Sequence, residues 1–129
     1  MQIKKVLFPG GSTSTYEYDE LRRVKKITSA NKTPQVFWQQ EYSYNDASLI
    51  SGIIRTEDNF RNFGVPEVFN QEFKYDDGYR LAEVKENGST AESYVYDTLG
   101  NRSPKDGPAW TYNPNGGVTS TGDASYQYD

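Results

Sequence analysis

Large apolar side chains recur along the chain as aromatic-x-aromatic triplets that end in Asp or Asn. The triplets are Tyr16-Glu17-Tyr18-Asp19, Tyr42-Ser43-Tyr44-Asn45, Phe73-Lys74-Tyr75-Asp76, Tyr94-Val95-Tyr96-Asp97, Trp110-Thr111-Tyr112-Asn113 and Tyr126-Gln127-Tyr128-Asp129. Rings at i and i+2 share one face of a strand because successive Cβ atoms alternate sides, and the intervening, mostly polar residue faces the other way. The Asx then ends the strand, since its short side chain accepts a hydrogen bond from the backbone two residues on and starts a turn. Asp19, Asn45, Asp76, Asp97 and Asn113 are therefore the expected turn residues. Gly100 and Gly116, three residues after Asp97 and Asn113, supply a position where φ can be positive, whereas Gly78 stands one residue earlier in its copy.

Past the turn the chain runs back. Arg23 and Arg80 lie four residues after the Asx, and an aliphatic lies five after it at Val24, Ile50, Leu81 and Val118. A second aliphatic falls eight after it at Ile27, Ile53 and Val84. Strict alternation puts these two on opposite faces, so either both faces are partly buried or a bulge shifts the phase, and the sequence leaves both open. Strand, Asx turn, strand, repeated, with loops at Asn31-Lys32-Thr33-Pro34, Asn87-Gly88-Ser89 and Lys105-Asp106-Gly107-Pro108, predicts an antiparallel meander.

The repeat organises the whole chain. Copies begin near residues 16, 42, 73, 94, 110 and 126 after a lead-in over 1–14, and ten of the eleven tyrosines fall in this frame, Tyr79 alone lying outside it. Second aromatics are separated by 26, 31, 21, 16 and 16 residues, so length varies in the loops. Extra residues in a surface loop cost little closure entropy, while one extra inside a strand inverts its faces. The longest insertion, 56–68, carries Phe60, Phe63 and Val65 at rough helical spacing, but Gly64 and Pro66 interrupt it and it reads as a loop with apolar anchors. The fold class is all-β: a single domain of repeated β-hairpins forming an open, curved antiparallel sheet.

The frame Tyr-x-Tyr-Asp-x-x-Gly-Arg-Leu resembles the YD repeat of the RHS-repeat family, which includes bacterial polymorphic toxins, toxin-complex cocoon proteins and teneurins. The best copies are Phe73 to Val84 and Tyr94 to Arg102, the latter reading YVYDTLGNR, and the resemblance covers most of Tyr16 to Asp129. Asn45 and Asn113 depart from the Asp, the second copy lacks the turn glycine, and the 56–68 insertion is unlike the repeat. The resemblance implies a hollow β-shell built from many hairpins, around a toxin or within an adhesion receptor, and an extracellular or cell-surface location. Six copies form only part of such a shell, and the sixth stops at its signature, so an excerpt or remnant of a longer array is expected, with an open edge for self-association or for further repeats. The family's self-cleaving Asp-Pro motif is absent, so autoproteolysis is not predicted.

Composition sharpens the picture. Hydrophobic residues are only 34% while aromatics reach 15%, so rings carry the apolar surface, as suits half-exposed sheet faces. A formal charge of -4 opposes nucleic-acid binding, which relies on Lys and Arg against phosphates. The apolar run Val6-Leu7-Phe8 is too short for a signal-peptide core or a membrane span. Without His or Cys the usual general base, zinc ligand and thiol nucleophile are missing, so a non-enzymatic role with no cofactor is expected. Neighbouring carboxylates at Asp76-Asp77 and Glu57-Asp58 point to opposite faces of a strand and do not form a dyad. Asp76-Asp77-Gly78 and Asn113-Pro114-Asn115-Gly116 carry only fragments of a calcium loop, and no metal is expected. Trp110, Tyr112, Tyr126 and Tyr128 are the candidate ligand-binding residues, since rings in a row offer flat platforms to glycans. The competing reading makes the same rings cross-strand ladders that form the core.

Overall fold

The computed structural model describes residues 2–33, 35–58 and 64–128. Eleven strands follow in chain order: β1 Lys5–Leu7, β2 Thr13–Tyr18, β3 Val24–Ala30, β4 Val36–Tyr44, β5 Ile50–Glu57, β6 Glu67–Tyr75, β7 Leu81–Glu86, β8 Ser89–Tyr96, β9 Arg102–Pro104, β10 Thr111–Tyr112 and β11 Val118–Ser120. Strands β1 to β9 lie in sequence order in one antiparallel sheet that does not close, and β10 pairs with β11 separately. The all-β meander expected from the repeat is therefore the observed architecture. The chain divides into two compact units, Met1–Glu72 with Glu86–Gly88, and Phe73–Lys85 with Ser89–Asp129.

The turns are one structure repeated. In each, the Asx N–H donates to the carbonyl at position +4, its own carbonyl accepts from the N–H at +3, and its side-chain Oδ1 accepts from the N–H at +4: Asp19 with Arg22 and Arg23, Asn45 with Ser48 and Leu49, Asp76 with Tyr79 and Arg80, Asp97 with Gly100 and Asn101, Asn113 with Gly116 and Gly117. This is a type I turn closed by a left-handed residue. The left-handed residue is always at +3, with φ of 64° at Arg22, 61° at Ser48, 61° at Tyr79, 84° at Gly100 and 81° at Gly116. Gly100 and Gly116 thus take the positive φ expected of them, while Gly78, one place earlier in its turn, has no positive φ. The Asp76 carbonyl can close the turn only on the +3 N–H, so Tyr79 takes the strained conformation and Gly78 is an ordinary turn residue. The sixth turn, at Asp129, lies outside the described residues.

Register resolves the phase problem at +5 and +8. In the first hairpin Tyr16 pairs with Ile27 and Tyr18 with Val24, a bulge at Lys25 taking up the extra residue. In the second, Tyr42 pairs with Ile53 and Tyr44 with Ile50, Ser51 being extra, and Tyr112 pairs with Val118 in the same way. The bulge brings +5 and +8 to the ring-bearing face, so both stand opposite the aromatics. In the fourth copy Tyr96 pairs with Arg102 and Tyr94 with Pro104, without a bulge.

The insertion is smaller than the sequence suggests. Thr56 and Glu57 belong to β5, Glu67 and Val68 to β6, and they pair with each other across the two strands. The long strands β4 to β6 thus absorb both ends of 56–68 as ladder rather than loop, because each added residue finds a backbone partner on a neighbouring strand. Phe60 and Phe63 lie outside the described residues, and Val65 is 59% exposed and anchors nothing. Elsewhere, Asn31 Oδ1 accepts from Gln35 N–H at 3.1 Å, and Asn87-Gly88, with φ of 48° and 84°, forms the two-residue hairpin turn such dipeptides favour.

Packing in both units is thin. Element contacts among the described residues join sequence-adjacent strands. Val84 is the one buried hydrophobic residue and Ser14 the one buried polar residue among those described. Cohesion therefore comes from ladder hydrogen bonds and cross-strand pairs, each such pair contributing about 0.2–1 kcal/mol.

Candidate functional site

In the first unit the ring face can be followed strand by strand. Tyr16, Ile27, Gln40, Arg55 and Phe69 form one row across β2 to β6, while Glu17, Lys26, Glu41 and Ile54 form a row on the other face. The second aromatic of each copy has a further task, which ties neighbouring copies together. Tyr18 Oη donates to the Ile3 carbonyl at 2.7 Å, Tyr44 Oη to Val24 at 2.6 Å, Tyr96 Oη to Leu81 at 2.6 Å and Tyr128 Oη to Val118 at 2.9 Å, and Tyr112 Oη donates to Arg102. In the second, fourth, fifth and sixth copies the acceptor is position +5 of the preceding copy.

Arginine at +4 reinforces this latch. Arg23 lies 4.3 Å from the centroid of the Tyr44 ring and Arg80 4.3 Å from that of Tyr96, while each pairs with its own turn aspartate, at 2.7 Å to Asp19 and 2.8 Å to Asp76. One side chain thus joins the turn of one copy to the ring of the next, by charge and by cation–π attraction. In the fourth copy Asn101 takes the same place and donates to Asp97 Oδ2 at 2.9 Å.

The turn carboxylates are held as anions. Partial desolvation pushes Asp19 upward, but backbone and side-chain hydrogen bonds from Arg23, with its charge, outweigh it and leave the carboxyl below its ordinary value. Asp76 is lowered first by the Arg80 side chain and then by backbone N–H groups, and Asp97 first by the Asn101 side chain. Groups with both oxygens so engaged serve as turn anchors. Asp58, of the other neighbouring pair, accepts from Gln35 Nε2 at 3.2 Å. Desolvation raises the phenols of Tyr44 and Tyr75.

The four candidate ligand residues divide. Tyr112 and Tyr128 converge on Val118, the first as its strand partner and the second through its hydroxyl. Trp110 donates its backbone N–H to Ser103 Oγ at 3.0 Å, and Arg102 lies 5.7 Å from its ring and 4.4 Å from that of Tyr94. Tyr126 and Tyr128 remain 48% and 59% exposed. Tyr112 lies in β10, whereas Trp110, Tyr126 and Tyr128 lie outside the strands.

A cleft that sequence reasoning did not single out opens on the ring face of the first unit. It has a volume of about 440 Å³ and is lined by Gln40, Ile53, Arg55, Phe69, Gln71 and Glu86 among others. Arg55 stacks over Phe69 at 4.6 Å, and Gln71 Nε2 donates to Glu86 Oε1 at 3.1 Å. Arg55 Nε is 2.9 Å from Glu57 Oε1, close enough for ion pairing, yet its N–H makes no hydrogen bond. Glu57 offsets the guanidinium charge. Among the described residues no cluster of three or more His, Cys, Asp or Glu side chains could hold a metal ion.

No family model matches the chain, and no curated protein matches it.

The latch was the main feature missed at the level of sequence, although it left a signal. The first aromatic of a copy is Tyr, Phe or Trp, whereas the second is Tyr in all six. A ring alone could be any of the three; only a required hydroxyl explains the restriction.

Proposed function

We propose that this chain is a non-enzymatic scaffold segment of an RHS-type YD-repeat shell, serving to enclose a toxin or to display a surface outside the cell. The observation that supports this reading most is the latch. The +4 arginines of the first and third copies stack on the second tyrosine of the following copy, and that tyrosine donates its hydroxyl to a carbonyl of the preceding one. A side-chain set that joins like to like suits a wall that extends by repetition. The test is the coding sequence on either side: further aromatic-x-aromatic-Asx copies followed by a toxin or receptor segment are expected, and an isolated frame with neither refutes the proposal.

A second reading, a carbohydrate-binding or adhesion module, draws on the exposure of Tyr126 and Tyr128 beside Trp110 and Tyr112. It requires glycan-array hits that Trp110→Ala and Tyr112→Ala abolish, and an array without hits removes it.

A further inference from the structure

Two Asn-Gly pairs occur in the chain, Asn87-Gly88 and Asn115-Gly116, and both sit on exposed turns. A glycine after asparagine leaves its backbone nitrogen open to attack the side-chain amide, because no Cβ shields it. By sequence the two pairs are alike, but their hydrogen bonds differ. At the fifth turn the Gly116 N–H closes the turn, donating to the Asn113 carbonyl at 3.0 Å, and the Asn115 N–H donates to Asn113 Oδ1 at 3.0 Å. Attack by the Gly116 nitrogen therefore has to break the bond on which the turn is built. The Asn115 side chain makes no hydrogen bond among the described residues, so nothing there polarises its carbonyl.

At Asn87-Gly88 both features are reversed. The Gly88 N–H makes no turn hydrogen bond among the described residues, and nothing lies within 4 Å of where a Cβ on Gly88 would stand. Asn87 is held by β6 instead: its N–H donates to the Asn70 carbonyl at 2.8 Å, and its Oδ1 accepts from the Asn70 N–H at 3.0 Å. Attack on Cγ turns Oδ1 into an oxyanion, and a backbone N–H already at that distance stabilises the charge as it forms. We infer that Asn87-Gly88 is a self-modification site, at which water hydrolyses the side-chain amide through a cyclic imide. The Gly88 nitrogen gives its proton to solvent and bonds to Asn87 Cγ, while the Cγ–Nδ2 bond breaks and ammonia leaves. Water then opens the imide at either carbonyl, leaving aspartate or, with one more carbon in the backbone, isoaspartate. Either product adds a negative charge beside Glu86 in the wall of the cleft. Isoaspartate also lengthens a tight hairpin turn and so loosens its hold on Asn70. This goes beyond the scaffold reading and does not rest on it.

Ageing of the full chain tests it. The folded protein is held in mildly alkaline buffer made with heavy-oxygen water, sampled over time, and mapped by mass spectrometry after digestion in ordinary water, so that each hydrolysed imide carries the label. The Asn87 peptide should gain label roughly tenfold faster than the Asn115 peptide, the scale of one hydrogen bond to the developing oxyanion. In urea, where neither turn is formed, the two rates should converge. Asn87→Gln, whose longer side chain closes an imide far more slowly, should lose the fast phase of ammonia release and leave labelling at Asn115 unchanged, with circular dichroism confirming that the strands are kept. Equal rates in the folded chain, faster conversion at Asn115, or the same ratio of rates in urea as in buffer overturns the inference. The flanking-sequence test of the scaffold reading is untouched by any of these results.

Discussion

Replacing Tyr44 by Phe removes one hydroxyl from a latch and little else. The ring stays, so its packing opposite Ile50 and the Arg23 guanidinium over its face are retained. What goes is the 2.6 Å hydrogen bond to the Val24 carbonyl, at a partly buried site. A neutral hydrogen bond is worth about 0.5–1.5 kcal/mol net, and the stranded carbonyl moves the cost toward the upper end, so a loss of about 1 kcal/mol is expected. The two tryptophans make the measurement local, because Trp38 lies in the first unit and Trp110 in the second. In a Trp110→Phe background, urea unfolding followed by Trp38 fluorescence reports on the unit that contains Tyr44. Tyr79→Phe is the control: that ring is 67% exposed and lies outside the frame, and its change should be within about 0.3 kcal/mol of zero. A Tyr44→Phe protein as stable as the control would refute the latch as the joint between copies.

Turn geometry, acid and alkali give further tests. Tyr79→Gly relieves a left-handed residue at φ 61° and should stabilise by about 1 kcal/mol in thermal melts, while Gly100→Ala, at φ 84°, should destabilise by a similar amount. Gly78→Ala, whose Cβ would sit 3.3 Å from Asp76 Oδ1 without a positive φ, should change stability less than Gly100→Ala; equal losses would show that +3 is not the strained position. Asp19, Asp76 and Asp97 titrate below their ordinary value of 3.8 in the folded chain, so their contribution is complete above that pH and is lost as pH falls through the lowered values. Asp76→Asn should therefore flatten the acid limb of the stability curve, and an unchanged limb contradicts the assignment. Tyr44 titrates above 10.0, so its contribution is present below pH 10 and is lost as pH rises through the raised value. Tyrosinate absorbance and circular dichroism should thus change together in strong alkali, and Tyr44→Phe should reduce that alkaline loss.

Much of this fold was legible because it is local. A ring at i and i+2, an Asx and a returning aliphatic lie within about a dozen residues of each other, and strand alternation and turn chemistry act over that range. The sequence alone therefore determined the hairpin, the five turn anchors and the meander. It also held, unread, the clue of a tyrosine at every second aromatic position. What lay beyond it depends on partners set by pairing across strands. The bulge at Lys25 shows itself only when Glu17 pairs with Lys26 and Tyr18 with Val24. The left-handed residue of the third turn is Tyr79, despite the adjacent glycine, because the Asp76 carbonyl reaches only the +3 N–H. Val6 is recognisable as part of the sheet only once it is seen opposite Ser14. Register is a relation between segments distant in sequence, fixed by which backbone groups meet and which face each pairing turns toward the rings, and so the tertiary structure alone decided how one copy holds the next.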